Sequence, residues 1–377
     1  MFNIPRILFV VFILGLFTSL ALSQQNEIIE ANSELVDIND YDIYCAGRFG
    51  TGNFSEDNAC YWMNGVRYDL QPSSSRASAI YVVGDDIYVL GIYQKDSKTR
   101  PCYWKNGNLV DLQAPAGNTY ASDIFVSGKD IFVSGHSKTY ELTLPCYWKN
   151  GEKMTLEVDS NTSYYTKSIF VKDENVYIAG FNDNVADNKF QIRACYWMNG
   201  KKIELESDPN LFSVATDIFV SENEVYIAGR LDDANSETLC YWKDGNRIEL
   251  SNIQNKYRIK GGQFLVSWEN AEYHHFTYED GLTKHKIGIN SMYVSNGNVY
   301  IIGKFDKSAS YWVNKEMKEI EMDGNVATAR HITVIDTNVL IVGRSNNYIC
   351  LWENEVKSEI FKIKDDESPN YFWVEKK

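Results

Sequence analysis

The six residues "CYWKNG" stand at 102–107 and again at 146–151, and variants recur as "CYWMNG" at 60 and 195 and "CYWKDG" at 240. A catalytic motif is needed once. Five copies in a chain of 377 residues point instead to a structural unit that is itself repeated.

The hexapeptide is the second half of a longer unit. In "ASDIFVSGKDIFVSGHSKTYELTLPCYWKNGEKMTLEV", residues 121–158, four short β-rich runs are separated by turn signals, which predicts an antiparallel meander of strands A to D. The apolar pair of strand A marks the unit along the chain. It falls at Val36/Ile38, Ile80/Val82, Ile124/Val126, Ile169/Val171, Ile218/Val220, Tyr257/Ile259, Met292/Val294 and Ile332/Val334, in steps of 35 to 49 residues. Four strands at such a period predict a β-propeller, in which each sheet buries its faces against its neighbours around a ring. The Tyr257/Ile259 unit lacks the hexapeptide, but 263–268 reads as strand B and 276–287 as strands C and D, with Asp280-Gly281 as their turn.

The expected fold is therefore all-β, a single β-propeller of eight four-stranded blades over residues 33–362, with 255–287 as the sixth. The alternative is seven blades plus an inserted hairpin. Because the first unit opens on its own strand A and the last ends on strand D near Ile360, closure requires no shared strand. The tail, 363–377, is expected to add at most an extra outer strand. Aromatic content of 14 % and only 7 Pro suit a pleated fold.

Local chemistry explains the hexapeptide. Asn-Gly or Asp-Gly permits positive φ at both central positions of a type I′ turn, so it joins strands C and D. Trp62, Trp104, Trp148, Trp197, Trp242, Trp312 and Trp352 share one position of strand C, where a large ring fills the gap between packed sheets. A glycine ends strand B at Gly47, Gly91, Gly135, Gly180, Gly229, Gly303 and Gly343, a sign of close backbone approach or a bend. Six of the seven cysteines, Cys60, Cys102, Cys146, Cys195, Cys240 and Cys350, lie on the Trp face of successive strands C. Neighbouring sheets are ~10 Å apart, farther than a disulfide spans, so buried free thiols are expected there and at Cys45.

The combination "DIFVSGKDIFVSG...CYWKNG" resembles the repeats of uncharacterised secreted β-propeller proteins, distantly similar to the kelch and WD groups, over about residues 33–360. It differs from kelch in having no Gly-Gly doublet ending strand B, and from WD repeats in having no Trp-Asp pair ending strand C. The resemblance implies the fold; propellers host many unrelated functions.

At the N-terminus, Arg6 precedes a charge-free apolar run from Ile7 to Leu22 that is shorter than a membrane span, with small residues before Gln24. Residues 1–23 read as a signal peptide and 24–32 as a linker, which predicts a secreted or periplasmic protein. Asn53-Phe-Ser and Asn161-Thr-Ser are N-glycosylation sequons in a eukaryotic secretory pathway. The formal charge of -14, mixed along the chain, argues against nucleic acid and anionic membrane as partners. A monomer is expected. No His-x-x-x-His, Cys-x-x-Cys, phosphate loop, dinucleotide fingerprint or Gly-x-Ser-x-Gly occurs, so neither a metal nor a cofactor is expected.

In a propeller meander the B-to-C and D-to-A connections emerge on one face, and here they carry the length and sequence diversity. The A-to-B and C-to-D turns on the other face are short and repetitive. Two rings approach the variable face. The residue before the strand-A marker is polar in six of eight units, and Asp123, Ser168, Asp217, Lys256, Ser291 and His331 are the binding candidates from it. The residue after the strand-B glycine is often basic, giving Arg48, Arg230 and Arg344, a cationic collar for an anionic ligand unless loop carboxylates pair with it.

The favoured function is a binding or scaffold propeller that holds a protein or glycan on this face. The alternative is a hydrolase or lyase acting on an anionic saccharide at the channel mouth, with Asp123, Asp217, Lys256 and His331 converging there. Two carboxylates around a deep pocket would favour the enzyme; no catalytic residue is assigned from the sequence.

Overall fold

The computed structural model describes residues 38–114, 118–186, 189–208, 210–232, 237–250, 264–266, 276–278, 288–305, 308–320 and 327–377. The expected signal peptide and linker lie outside these residues, and so does Lys256. Ile38–Asp40 forms a short 3-10 turn in a unit separate from the compact body, Tyr41–Lys377. Among the described residues there are seven four-stranded antiparallel sheets and one two-stranded sheet. Blades 2 to 7 are consecutive meanders over residues 75–111, 118–155, 163–204, 212–249, 288–319 and 327–362.

Blade 1 is assembled from both ends of the chain. Tyr41–Phe49, Asn58–Met63 and Val66–Asp69 supply strands B, C and D, and Glu367–Lys376 supplies strand A. This corrects two expectations. Val36/Ile38 does not mark the first strand A, and the C-terminal tail is an innermost strand, not an outer one. Asn370-Tyr-Phe-Trp-Val occupies the place of Ser122-Asp-Ile-Phe-Val in blade 3, with Phe372 and Val374 buried at the marker positions.

The count of eight is also corrected: the ring has seven blades, and the alternative with an inserted hairpin describes it. Phe264–Val266 pairs antiparallel with Phe276–Tyr278 as a two-stranded sheet. Blades 5 and 6, on either side of it in sequence, are direct neighbours. Asp217 accepts a 2.7 Å hydrogen bond from the Met292 amide, the Phe219 and Tyr293 rings lie 4.9 Å apart, and Ala228 and Tyr241 share one core cluster with Ile301 and Trp312. The intervening segment has neither the Cys-Tyr-Trp of strand C nor the strand-B glycine, the two features that let a sheet interlock with its neighbours.

Those features act together. The tryptophans are 0 or 1 % exposed, and the indole N–H groups of Trp104, Trp148, Trp197 and Trp242 donate to the carbonyls of Gln71, Gln113, Glu157 and Glu206, just beyond strand D of the preceding blade, at 2.6 to 2.8 Å. Each ring is thus both filler and clamp. The strand-B glycine makes room for it: a Cβ on Gly135 would stand 2.2 Å from the Tyr120 carbonyl and 2.6 Å from the Trp148 ring. The Asn-Gly turns have positive φ at both residues, 49° and 80° at Asn106-Gly107. The Asn106 side chain also accepts from the Ile87 amide at the start of strand B, and the equivalent Asn or Asp does the same in every blade. The repetitive face is therefore stapled turn to turn. All seven cysteines are free and buried, and burial raises the thiols of Cys45, Cys60, Cys102, Cys146, Cys195 and Cys240, to about 11 at Cys146, which keeps them protonated and unreactive.

Candidate functional site: the axial channel

Seven innermost strands enclose a cavity of about 990 Å³. Its chemistry follows from one recurrent irregularity. In every blade the register between strands A and B slips by one residue, at Ala77/Ala79, Ala121/Asp123, Thr166/Ser168, Ala215/Asp217, Ile289/Ser291, Ala329/His331 and, in blade 1, opposite Ala46/Gly47. The extra residue of such a bulge is unpaired and breaks the two-residue alternation. Here it is Ser78, Ser122, Lys167, Thr216, Asn290, Arg330 or Asn370, polar in all seven blades, and all seven line the channel.

The sequence reading placed the functional ring one residue later and missed this one. Its signal was present: every residue two places before a strand-A marker of the seven blades is polar. Alternation alone, without the bulge, assigns that position to the blade interior.

Four of the expected ring residues, Asp123, Ser168, Asp217 and Ser291, line the channel together with His331 and Arg230. Arg48 and Arg344 are not part of the lining. Arg48 pairs with the buried Asp57 at 3.0 Å, and Arg344 donates to the Asn346 carbonyl at 2.7 Å. Arg230 lies 3.1 Å from Asp232.

Asp123, Ser168 and Asp217 form a continuous array across blades 3, 4, 5 and 6. Asp123 accepts from the amides of Ile124 (2.8 Å) and Ile169 (3.0 Å). Asp217 accepts from those of Ile218 (2.9 Å) and Met292 (2.7 Å). The Ser168 hydroxyl lies between them, 3.0 Å from Asp123 and 2.7 Å from Asp217. A hydroxyl has one proton to give, so Ser168 satisfies both carboxyls only when one of them is protonated and donates back. Burial pushes Asp123 up to about 7, with the nearby Asp217 charge adding to it. Burial likewise raises Asp217 to about 6. His331, tilted against Trp373 at 5.6 Å, is driven down to about 4 by burial and is neutral at physiological pH.

Toward the repetitive face the channel wall carries an aromatic collar. Trp373, Tyr81, Phe125, Phe170, Phe219 and Tyr293 follow one another around the wall with ring centroids 4.6 to 5.2 Å apart. At the opposite mouth, Lys167 lies 5.8 Å from the Phe181 ring centroid. Burial, followed by repulsion from Arg230, lowers Lys167 to about 8.

The carboxyl array predicts a pH signature. An unfolded aspartate ionises near 3.8, so between that value and about 7 the folded chain holds a proton that the unfolded chain releases. The contribution of Asp123 to stability is therefore full below about pH 4 and is lost as pH rises through about 7; Asp217 adds in the same sense up to about 6. His331 opposes them, its contribution falling as pH drops from 6.5 toward 4. Asp123→Asn, which resembles the protonated form, is expected to flatten the loss of thermal stability between pH 5 and 8 by about 2–4 °C. Melting curves of variant and wild type that stay parallel across this range would contradict the assignment.

Among the described residues there is no cluster of three or more His, Cys, Asp or Glu side chains that could hold a metal, and no helix is long and apolar enough to cross a membrane. The molecule thus defines itself as a seven-bladed β-propeller whose axial channel is lined by a ring of polar bulge residues among apolar side chains. No protein-family model and no curated protein matches the chain. Among solved structures it is similar to the β-propeller domain of the Trilobed protease from Pyrococcus furiosus, described as having an open velcro topology. The TM-score is 0.51 at 8 % identity, over 86 % of this chain and 93 % of that one. It also matches a putative 6-phosphogluconolactonase from Bacteroides fragilis (TM-score 0.45, 12 % identity, 90 % and 99 % covered) and a mutant Trypanosoma rangeli sialidase (0.40, 10 %, 88 % and 56 %). The first likeness concerns the fold alone, and the two weaker ones add nothing to it.

Proposed function

We propose that this is an exported ligand-binding propeller, secreted or periplasmic, that holds a protein or glycan at the mouth of its axial channel, on the face carrying the B-to-C and D-to-A connections. The observation that carries this reading is the charge of the lining. Three cations, Lys167, Arg230 and Arg330, face two carboxylates, Asp123 and Asp217, in a chain of formal charge -14. Both carboxylates are already bonded to main-chain amides of their own and the neighbouring blade, and Arg230 has Asp232 beside it, so Lys167 and Arg330 weigh most in the polarity seen by a ligand.

An array of defined glycans and polypeptides, acidic and neutral, tests the reading. Arg330→Gln is expected to weaken capture by about tenfold, and raised salt to weaken it further. Lys201→Ala, at an exposed C-to-D turn, is expected to leave capture unchanged. Equal losses from the two variants would place binding elsewhere.

A second reading, a hydrolase or lyase of an anionic saccharide, is favoured by one observation: two carboxyls with pKa values raised to about 7 and about 6 meet across Ser168 in the channel wall. Groups poised near neutrality suit general acid–base work. Against it, each of their four oxygens accepts a main-chain hydrogen bond, and three of the four bond a neighbouring blade. Turnover of an acidic oligosaccharide that vanishes in Asp217→Asn while the fold persists would establish the enzyme.

A further inference from the structure

Lys167 is the feature that a structural role leaves unexplained. It occupies the bulge of blade 4, on the channel wall, where four of the five uncharged bulge residues bond within the protein; the buried hydroxyl of the fifth, Ser78, has no hydrogen-bond partner among the described residues. Ser122 bonds Thr166, Thr216 donates to the Ala228 carbonyl, and Asn290 donates to the Ala329 carbonyl. Lys167 has a cation–π contact with Phe181, but among the described residues no hydrogen-bond acceptor or carboxylate partners its ammonium. It is moreover close enough to Arg230 to be repelled by it. Arg230 has Asp232 beside it at 3.1 Å, whereas the Lys167 charge, set in a recess of low dielectric without a carboxylate partner among the described residues, carries a standing cost that a bound anion offsets.

The surroundings narrow the kind of anion. The channel, at about 990 Å³, is of the size that holds small molecules and too narrow for a folded domain. Among apolar side chains, the wall beside the cations offers hydroxyls, amides and the amide-bonded carboxyls of Asp123 and Asp217, and Asn290 and Asn370 use their NH₂ groups internally, which directs carbonyl oxygens to other donors. Such a wall suits a ligand rich in hydroxyls. Tyr120 and His136, both half-buried, add ring surface at the mouth, on which the apolar face of a sugar can lie.

From this juxtaposition, and resting on the binding reading above, we propose that the channel receives the acidic terminal sugar of a glycan, its carboxylate or sulfate set beside Lys167 and its hydroxyls against the polar bulge ring. The chemistry required is one anionic substituent on a polyhydroxylated ring. Uronic and sulfated sugars both offer it.

Calorimetric titration of the full protein with galacturonate, galactose 6-sulfate and neutral galactose tests the proposal. Wild type is expected to bind at least one of the two acidic sugars about tenfold or more tightly than galactose. Lys167→Met, which keeps the length and apolar contacts of the side chain and removes the buried charge, is expected to abolish that preference without lowering the melting temperature, and Lys167→Arg to restore it. Binding of one acidic sugar and not the other identifies the substituent and supports the proposal. Equal binding of galactose and both acids, full retention in Lys167→Met, or no binding of either acid up to about 10 mM would overturn it. If the acids fail but the array shows capture sensitive to Arg330→Gln, the binding face stands and the acidic-sugar site falls; if nothing is captured, both fall.

Discussion

Deleting residues 363–377 is expected to open the ring and leave a protein that melts more than about 10 °C lower, or aggregates, although the deleted segment carries no copy of the repeat hexapeptide. Glu367–Lys376 pairs with Tyr41–Phe49 along the full length of that strand. Its loss exposes the edge of a strand whose centre, Ile43 to Gly47, is buried, a template for intermolecular pairing. Phe372 and Val374 alone, at 6 and 4 % exposure, represent about 3–6 kcal/mol of apolar burial. Loss of Trp373 removes its ring contacts with Tyr81 at 4.6 Å and His331 at 5.6 Å, and Arg67 loses its 2.9 Å pairing with Glu367. Chromatography and thermal melts of the truncated chain measure this, and a synthetic 363–377 peptide added in trans should recover part of the stability. A truncated protein that stays monomeric with an unshifted melt would show that the strand is dispensable.

The second large effect is expected from Trp148→Ala, at about 3–5 kcal/mol. Trp148 is fully buried, packs with Leu90, Tyr103 and Leu112 of blade 2 and with Ile124 and Val133 of blade 3, and donates its indole N–H to the Gln113 carbonyl. Truncation leaves a cavity between two blades and an unsatisfied carbonyl at once. Lys149→Ala, one residue along, breaks an exposed 2.9 Å ion pair with Asp130 and a contact of the ammonium with the Phe132 ring at 5.3 Å, and should cost about 1 kcal/mol. Denaturant unfolding of the two variants separates them. Similar losses at the two positions would mean that the tryptophan is not the element that joins the sheets.

What could be read from the residues was whatever recurs locally. The Asn-Gly turn, the strand-C tryptophan and the strand-B glycine each answer a constraint within a few residues or between adjacent strands: positive φ, the gap between sheets, the approach of a backbone carbonyl. Those constraints recur in each blade, so the chain spells them out repeatedly, and the meander with its two unequal faces follows. The candidate channel residues were partly legible for the same reason, since strand A and its marker could be aligned. The ring that carries Lys167 and Arg330 was displaced by one position because a bulge abolishes the alternation on which side-chain direction is inferred.

Blade number and closure are not local quantities. Whether 255–287 enters the ring depends on whether blades 5 and 6 meet without it, and they do, through Asp217 and Met292. Whether the first blade takes its inner strand from Val36/Ile38 or from Phe372/Val374 depends on pairing between residues more than 300 positions apart, for example Cys45 with Phe372. Both segments alternate acceptably as strands. The choice between them is made only when seven interlocking sheets bring the end of the chain back beside its beginning, because a closed ring must satisfy its last open edge with whichever strand arrives there.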